Sequence, residues 1–330
     1  MTVTVCSFAK INIGLEIGPR RADGFHGLRT VYQTIALHDR LRVEVARGTG
    51  IEIRSNDPHV PSDESNTCWR MAERAMKALK ARGRVTIQIE KDLPIQGGLG
   101  GASSNAVATL LAIERAVGKK LPPDERLRLA AEVGSDLPLF LIGGTVLGVG
   151  RGEEVYPLED LPSLDCVIVT PEVGISTPQA FADWDGTQEA GKLTAAAASD
   201  KLSGSSHAVC AWLSGSSTGV PARSGGDRAE ALLLDLVHAG IENDFESVVF
   251  PQHPELHELK RALERAGAEY ASLSGSGSTV YGLFRSRELA RKAAKRLTAE
   301  GLPAVATGTL TRREYWKRIF ERSEGSRKRC

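Results

Sequence analysis

The stretch that most restricts this chain is PIQGGLGGASSNAVATLLAI, residues 94–113, where glycines 97, 98, 100 and 101 run through Ser-Ser-Asn into an almost wholly apolar segment. Glycine lets a backbone bend where other residues clash, and lets another group approach closely. Just before it, RVTIQIEKDLP alternates strictly, with Val85, Ile87 and Ile89 facing one way, which reads as a strand. The apolar run after it reads as a buried helix over about 104–117. A strand, a glycine loop and a helix start together make an anion site, because N-terminal helix N–H groups lack partners and carry a positive dipole end.

Two familiar nucleotide patterns fail here. A P-loop needs a lysine after its glycines, and none follows; the dinucleotide fingerprint needs a glycine where Ser103 stands. For a single glycine pair, a close-packed turn would be the better reading. Four glycines followed by the hydroxyls of Ser103 and Ser104 favour a phosphate cradle. Such a cradle must borrow positive charge from elsewhere. Lys10 is a candidate, set in the otherwise uncharged strand segment Ala9-Lys10-Ile11-Asn12, although strand lysines usually face solvent. Asp136, in EVGSDLPLF, has capping or turn formation as its default role. Spacing alone singles out neither.

The chain has 330 residues, enough for two domains, with 41% hydrophobic and 25% charged residues as in ordinary globular proteins. A formal net charge of +1 exerts no global pull on nucleic acid or membrane, so an anionic ligand needs a local site. Cys6, Cys68, Cys166, Cys210 and Cys330 are scattered without a Cys-x-x-Cys pair, which argues against zinc and a disulfide framework and fits a reducing cytoplasm. The N-terminus has no basic start ahead of an apolar core, and LPLFLIGGTVLGVG is too short to span a bilayer. A cytoplasmic protein is expected, with neither nucleic acid nor membrane as partner.

Along the chain, SFAKINIGLEIG alternates as a strand, with Phe8, Lys10 and Asn12 on one face and Ile11, Ile13, Leu15 and Ile17 on the other. RADGFHG carries an Asp-Gly turn, followed by strands at LRTVYQTIAL, DRLRVEVARG and GIEIRSN. A helix in SNTCWRMAERAMKALKARG is capped by Ser65 or Asn66, striped by Trp69, Ala72, Met76 and Leu79, and stopped at Gly83. PPDERLRLAAEVG is another helix. From Pro162 the order becomes strand, helix, two strands, helix, strand, a ferredoxin-like arrangement. Extra helical pieces are expected at PQAFADW and RAEALLLDLVHAG. Residues 186–227 read as an Ala/Ser/Gly-rich loop insertion that Trp212 could anchor. In the basic tail 311–330, Trp316, Ile319 and Phe320 are expected to dock on the body, with SRKRC a solvated end.

Taken together these residues resemble the GHMP kinase superfamily, whose central motif Pro-x-x-x-Gly-Leu-Gly-x-x-Ser-Ser is matched by PIQGGLGGASS. Within it, SFAKINIGLEIGPRRADGFHGLRTV, GSDLPLFLIGGTVLGVGRGEEV, IENDFE and SLSGSGSTVYGLF are similar to the branch that phosphorylates a cytidine diphosphate-linked methylerythritol. The resemblance implies an α+β, two-domain fold. Residues 1–160 would be the ATP-binding domain and 161–330 a ferredoxin-like substrate domain, with the active site in the cleft between them. It implies a kinase of non-mevalonate isoprenoid biosynthesis, a monomer or homodimer, that uses ATP with Mg2+ and acts on the 2-hydroxyl of a small-molecule acceptor.

Residue by residue, Lys10 and Asp136 fall on the family's catalytic lysine and aspartate. Pro94, Ile95, Gln96, Gly97, Gly98, Leu99, Gly100, Gly101, Ala102, Ser103 and Ser104 would wrap the phosphates, and Asn66 would contact the nucleotide. Asn12, Phe25 and His26 match acceptor-binding positions, and Phe181 matches an aromatic that stacks on cytosine. No carboxylate for magnesium stands out, so the metal is expected on ATP oxygens, water and a loop serine. The loop Ser274-Gly275-Ser276-Gly277 would sit on the substrate side, or be only a tight hairpin. The chain departs from the family pattern at Phe8 (usually proline), Phe25 (tyrosine), Ala102 (glycine) and Ser135 (often alanine). Two alternatives remain: a superfamily kinase for a small alcohol of homoserine or mevalonate type, and a non-catalytic binding module. The DGFH segment and Phe181 disfavour the first; the joint presence of Lys10 and Asp136 disfavours the second.

Overall fold

The computed structural model describes residues 1–95, 97–191 and 242–320. Gln96, Cys210, Trp212, Cys330, the segment RAEALLLDLVHAG, SRKRC and most of the 186–227 insertion lie outside the described residues.

Two long antiparallel strands organise the first half. β1 (Thr2–Arg20) pairs along its length with β2 (His26–Ala46), the turn being closed where Arg21 N–H donates to Phe25 O. LRTVYQTIAL and DRLRVEVARG are therefore parts of one strand, 21 residues long, and not two. On its other edge β2 pairs with β4 (Arg84–Glu90) through its second half and with β5 (Thr145–Val149) through its first. β3 (Ile51–Ser55) and β6 (Glu154–Pro157) complete a six-stranded sheet.

β1 does not keep one alternation throughout. A register shift lies between Ile13 and Leu15, at Gly14 with φ 75°. Before it, Ala9, Ile11 and Ile13 pack with the second sheet; beyond it, Leu15 and Ile17 join the cluster under the C-terminal helices. Phe8 faces the N-terminal helices, the side on which Lys10 and Asn12 meet the cleft.

Helices cover the far face of this sheet. α1 (Thr67–Ala78) is capped by Asn66, whose side chain accepts from Cys68 N–H. Its inward face is Cys68, Met71, Ala72 and Ala75, so Trp69 and Met76 flank the buried stripe and do not centre it. The helix ends before Gly83, with Lys80 taking a left-handed φ of 48°. Gly83 has another cause: a Cβ there would stand 2.8 Å from Ala46 O on β2. α2 (Gly101–Val117) is buried almost all round from Ser104 to Glu114, between the sheet and α1. α3 (Pro123–Val133) and the short α4 (Leu137–Ile142) follow.

The second sheet has strand order β10-β7-β9-β8, from β7 (Asp165–Val169), β8 (Tyr270–Leu273), β9 (Val280–Phe284) and β10 (Ala304–Gly308). With α7 (Pro254–Arg265) and α8 (Arg287–Ala299) this is the ferredoxin-like order expected. β7 shows why it holds both neighbours: Cys166 and Ile168 face the first sheet, Val167 and Val169 face α7 and α8. α5 (Thr177–Gly191) carries PQAFADW and runs on into residue 191, so the expected insertion begins as helix; α6 (Glu246–Gln252) precedes α7.

After β10 the chain returns to the first sheet. α9 (Arg312–Arg318) opens with a Thr311/Glu314 capping box, and Tyr315 and Ile319 enter the N-terminal core with Trp316 and Phe320 beside them. Tyr315 OH donates to Phe140 O at 2.7 Å and Trp316 Nε1 to Ile142 O at 2.9 Å, so the last described turns clamp α4. Among the described residues no helix is long and apolar enough to cross a membrane.

Candidate active site

One cavity of ≈ 930 Å³ is lined by residues from both halves: Lys10 and Asn12, Phe25 and His26, Asn66, the glycine loop, Asp136, Phe181, and Gly275 with Ser276. Pro94, Ile95, Gly97, Gly98, Leu99, Gly100, Gly101, Ala102 and Ser103 all line it. Ser104 does not: it is buried one position deeper, where its Oγ accepts from Ser7 Oγ at 2.7 Å.

α2 begins at Gly101, earlier than the apolar run suggests, with Gly100 at its N-cap in the left-handed region (φ 70°). Ser104 N–H donates to Gly100 O, which leaves Gly101, Ala102 and Ser103 with the orphan N–H groups of the first turn. A Cβ on Gly100 would stand 2.9 Å from Phe140 and 3.1 Å from Lys10, so this glycine lets the loop close onto the lysine. The first glycine pair has a different cause. Gly98 and Gly277 meet backbone to backbone, Ser274 Oγ donates to Gly98 O at 3.0 Å, and Thr279 N–H donates to Gly97 O at 3.1 Å. Half of the glycine run is therefore spent on docking one loop against the other. The second loop also reaches the cleft, where a Cβ on Gly275 would lie 3.3 Å from both Lys10 Nζ and Asn12 Oδ1. Asn243, from IENDFE, holds that loop through Leu273 O (2.9 Å) and Gly275 O (2.8 Å).

The glycine-loop side of the cleft holds an ion pair that no sequence motif announces. Lys91 lines the cleft with Nζ 2.9 Å from Asp39 Oδ2. Asp39 is fully buried and also accepts from Asp92 N–H, Leu93 N–H and Asn105 Nδ2, which ties β2, the loop entry and α2 together. Asn66 lines the cleft with both side-chain groups already engaged, Oδ1 by Cys68 N–H and Nδ2 by Pro61 O.

Lys10 is 3% exposed, its Nζ 3.6 Å from Asp136 Oδ2 and 2.6 Å from Asn12 Oδ1. Asn12 in turn donates to Thr30 Oγ1 at 2.8 Å, and Thr30 donates to Gly14 O at 2.7 Å. Burial pushes the Lys10 ammonium below the ordinary lysine range, while the Asp136 charge and hydrogen bond pull it back up. Asp136 occupies the N-cap position of α4, yet its side chain makes no capping hydrogen bond. Its Oδ1 accepts instead from Tyr32 OH at 3.2 Å. The carboxylate thus faces the cleft beside a buried cation, an arrangement able to take a proton from a bound hydroxyl.

Across the cleft, His26 Nε2 is 2.7 Å from Asp185 Oδ1. The His26 ring stacks on Phe181 with centroids 5.1 Å apart, and Phe181 meets Phe245 edge-on at 5.0 Å. One face of Phe181 is therefore covered by His26, which leaves less of the ring open for the stacking that the resemblance implies. Phe25 is 55% exposed, with the Arg151 guanidinium 5.0 Å from its centroid and Arg151 paired to Glu153 at 3.0 Å. Sequence reasoning missed Tyr32, Lys91, Arg151 and Asp185. Arg151 lies inside a quoted motif, whereas Tyr32 is placed by strand register, Asp185 by helix phase and Lys91 by the loop after β4.

Comparison with known proteins follows the same lines. The family model "GHMP kinases N terminal domain" matches residues 66–144, and "GHMP kinases C terminal" matches residues 228–303. The chain is 38% identical over 317 residues to 4-diphosphocytidyl-2-C-methyl-D-erythritol kinase of Solibacter usitatus, covering 95% of this chain and 92% of that one. It is 34% identical to the protein of that name from Moorella thermoacetica, covering 93% and 99%. Among solved structures, a 4-(cytidine 5'-diphospho)-2C-methyl-D-erythritol kinase superposes with TM-score 0.70 at 29% identity, covering 93% and 98%. Homoserine kinase from Cytophaga hutchinsonii, at 22% identity and TM-score 0.66 over 94% and 95%, shares the fold.

Proposed function

The chain belongs to the GHMP kinase family, to its 4-diphosphocytidyl-2-C-methyl-D-erythritol kinases, and from that premise we propose how the cleft carries out the reaction. It transfers the γ-phosphoryl group of ATP to the 2-hydroxyl of 4-diphosphocytidyl-2-C-methyl-D-erythritol, a step towards isoprenoid precursors by the non-mevalonate route. The observation that carries the mechanism is the Lys10–Asp136 pair, 3.6 Å apart, in the same cavity as the open end of α2.

Phosphoryl transfer needs alignment and charge neutralisation more than covalent help from the protein. The orphan N–H groups of Gly101, Ala102 and Ser103 and the dipole end of α2 would hold the phosphates. Asp136 Oδ2 takes the proton of the 2-hydroxyl as its oxygen attacks the γ-phosphorus, and the bond to the β–γ bridging oxygen breaks to release ADP. Lys10 offsets the charge gathering between the attacking oxygen and the phosphoryl group. Magnesium would come with ATP, neutralising phosphate charge, and Ser103 is the loop hydroxyl lining the cleft that could hold it.

On the acceptor side, the cytosine would extend the His26–Phe181 stack, and His26 Nδ1 is the ring nitrogen not engaged by Asp185. Phe25 and Arg151 would flank the mouth. Residues 1–160 would then act as the nucleotide-binding unit, and 161–330 would supply Phe181 and the second glycine loop. Asp136→Asn should lower kcat by about 10²–10⁴-fold, the usual worth of a general base, with ATP affinity within about twofold. Near-normal ADP release by that variant would overturn the role of Asp136.

A further inference from the structure

We propose that Tyr32 is a positioning residue for phosphoryl transfer, fixing which oxygen of Asp136 meets the acceptor hydroxyl; the proposal rests on the base role given to Asp136 above. Tyr32 lies on β2, opposite Asn12 of β1 and Val146 of β5, in the centre of the sheet that presents Lys10. Its ring is buried, and its hydroxyl donates to Asp136 Oδ1 at 3.2 Å. The other carboxylate oxygen, Oδ2, is the one 3.6 Å from Lys10 Nζ. The two oxygens are thus divided between a neutral donor on one side and the cation and cleft on the other.

Two glycines keep this place open. A Cβ on Gly148 would press into the Tyr32 ring, and one on Gly152 would stand 2.6 Å from the Tyr32 hydroxyl and 3.9 Å from Asp136 Oδ1. The hydroxyl adds nothing to ring packing that phenylalanine would lack; its hydrogen bond to Asp136 is what distinguishes the residue here. Burial, followed by the Asp136 charge, keeps the phenol well above its ordinary titration range, so it stays a donor wherever the enzyme works. At 3.2 Å the bond lies beyond the short hydroxyl range, which makes its effect orientation more than strength. Charged neighbours leave that effect intact: Lys10 engages Oδ2, and Glu153, the nearby acid, is paired with Arg151. With Oδ1 turned towards Tyr32, Oδ2 is biased towards Lys10 and the cleft, which favours the geometry in which a base meets its proton in a near-attack arrangement.

The test is a double-mutant cycle on steady-state turnover with ATP and 4-diphosphocytidyl-2-C-methyl-D-erythritol. Tyr32→Phe should lower kcat about 10-fold, part of the ~10²–10⁴ that a general base supplies, with both KM values within twofold and Tm unchanged. In the Asp136→Asn background the same change should cost nothing further, because the group it positions is gone. A Tyr32→Phe enzyme with wild-type kcat overturns the proposal, as does a raised KM at unchanged kcat, or an undiminished 10-fold loss in the Asp136→Asn background. If Asp136→Asn alone keeps its turnover, the reading of the site itself has failed and the proposal falls with it.

Discussion

The two walls of the cleft are held by different forces. On the Lys10 side, polar side chains interlock in a hydrogen-bonded network: Asn12 with Thr30, the half-buried Asp136 with the buried Tyr32, and Asp39 with Lys91 and Asn105. On the His26 side, rings stack with one ion-pair partner, Asp185, which is as open as Asp136, and the outer ring Phe25 is exposed. A satisfied network has few alternative arrangements, whereas a stack of rings can slide at small cost. The first wall is therefore preorganised for chemistry and the second shaped for recognition. Changes on one side should appear in kcat and on the other in KM.

The largest separation should come from Phe181→Ala. Removing the ring that supports His26 and lines the acceptor side should raise the acceptor KM about 10–100-fold, the equivalent of ~1.5–3 kcal/mol of lost apolar contact. The KM for ATP should stay within about twofold. Equal weakening of both substrates, measured by ADP release at varied concentrations of each, would make Phe181 a general structural support and erase the contrast.

A smaller effect concerns pH. Because the ligand-free site lowers the Lys10 proton affinity, the alkaline limb of kcat/KM, which reports the free enzyme, should set in below the ordinary lysine range. Between the folded and unfolded values the unfolded chain holds the proton that the folded site has released, so this group favours folding more as pH rises. Urea titrations of wild type and Lys10→Met should show their stability difference moving in favour of wild type across that interval. A difference independent of pH would mean that Lys10 titrates as it does in the unfolded chain.

How far the sequence could be read depended on how local each signal was. The ferredoxin-like order after Pro162 was legible because its helices carried their own periodicity and turn residues bounded its strands; that β7 buries both of its apolar faces was not. The unity of β2 was not, since the Asp39-Arg40 pair looks like a break between strands until Asp39 is seen buried under Lys91 and the loop entry. The glycine run was legible as a loop before a helix. Its division of labour was not, because Gly98 answers to Gly277, far along the chain. Lys10 and Asp136 stood out only by resemblance. Nothing near Tyr32 in the sequence announces Asp136, which it meets only through the pairing of β1, β2 and β5.

The central claim, that this cleft moves a phosphoryl group from ATP to one particular hydroxyl, is tested most directly by the product. Incubation with ATP, magnesium and 4-diphosphocytidyl-2-C-methyl-D-erythritol, followed by phosphorus and carbon NMR, should show one equivalent of ADP and a phosphate monoester on the 2-position. Phosphate on another hydroxyl, transfer only to homoserine or mevalonate offered in parallel, or ADP formed with free phosphate alone would contradict it.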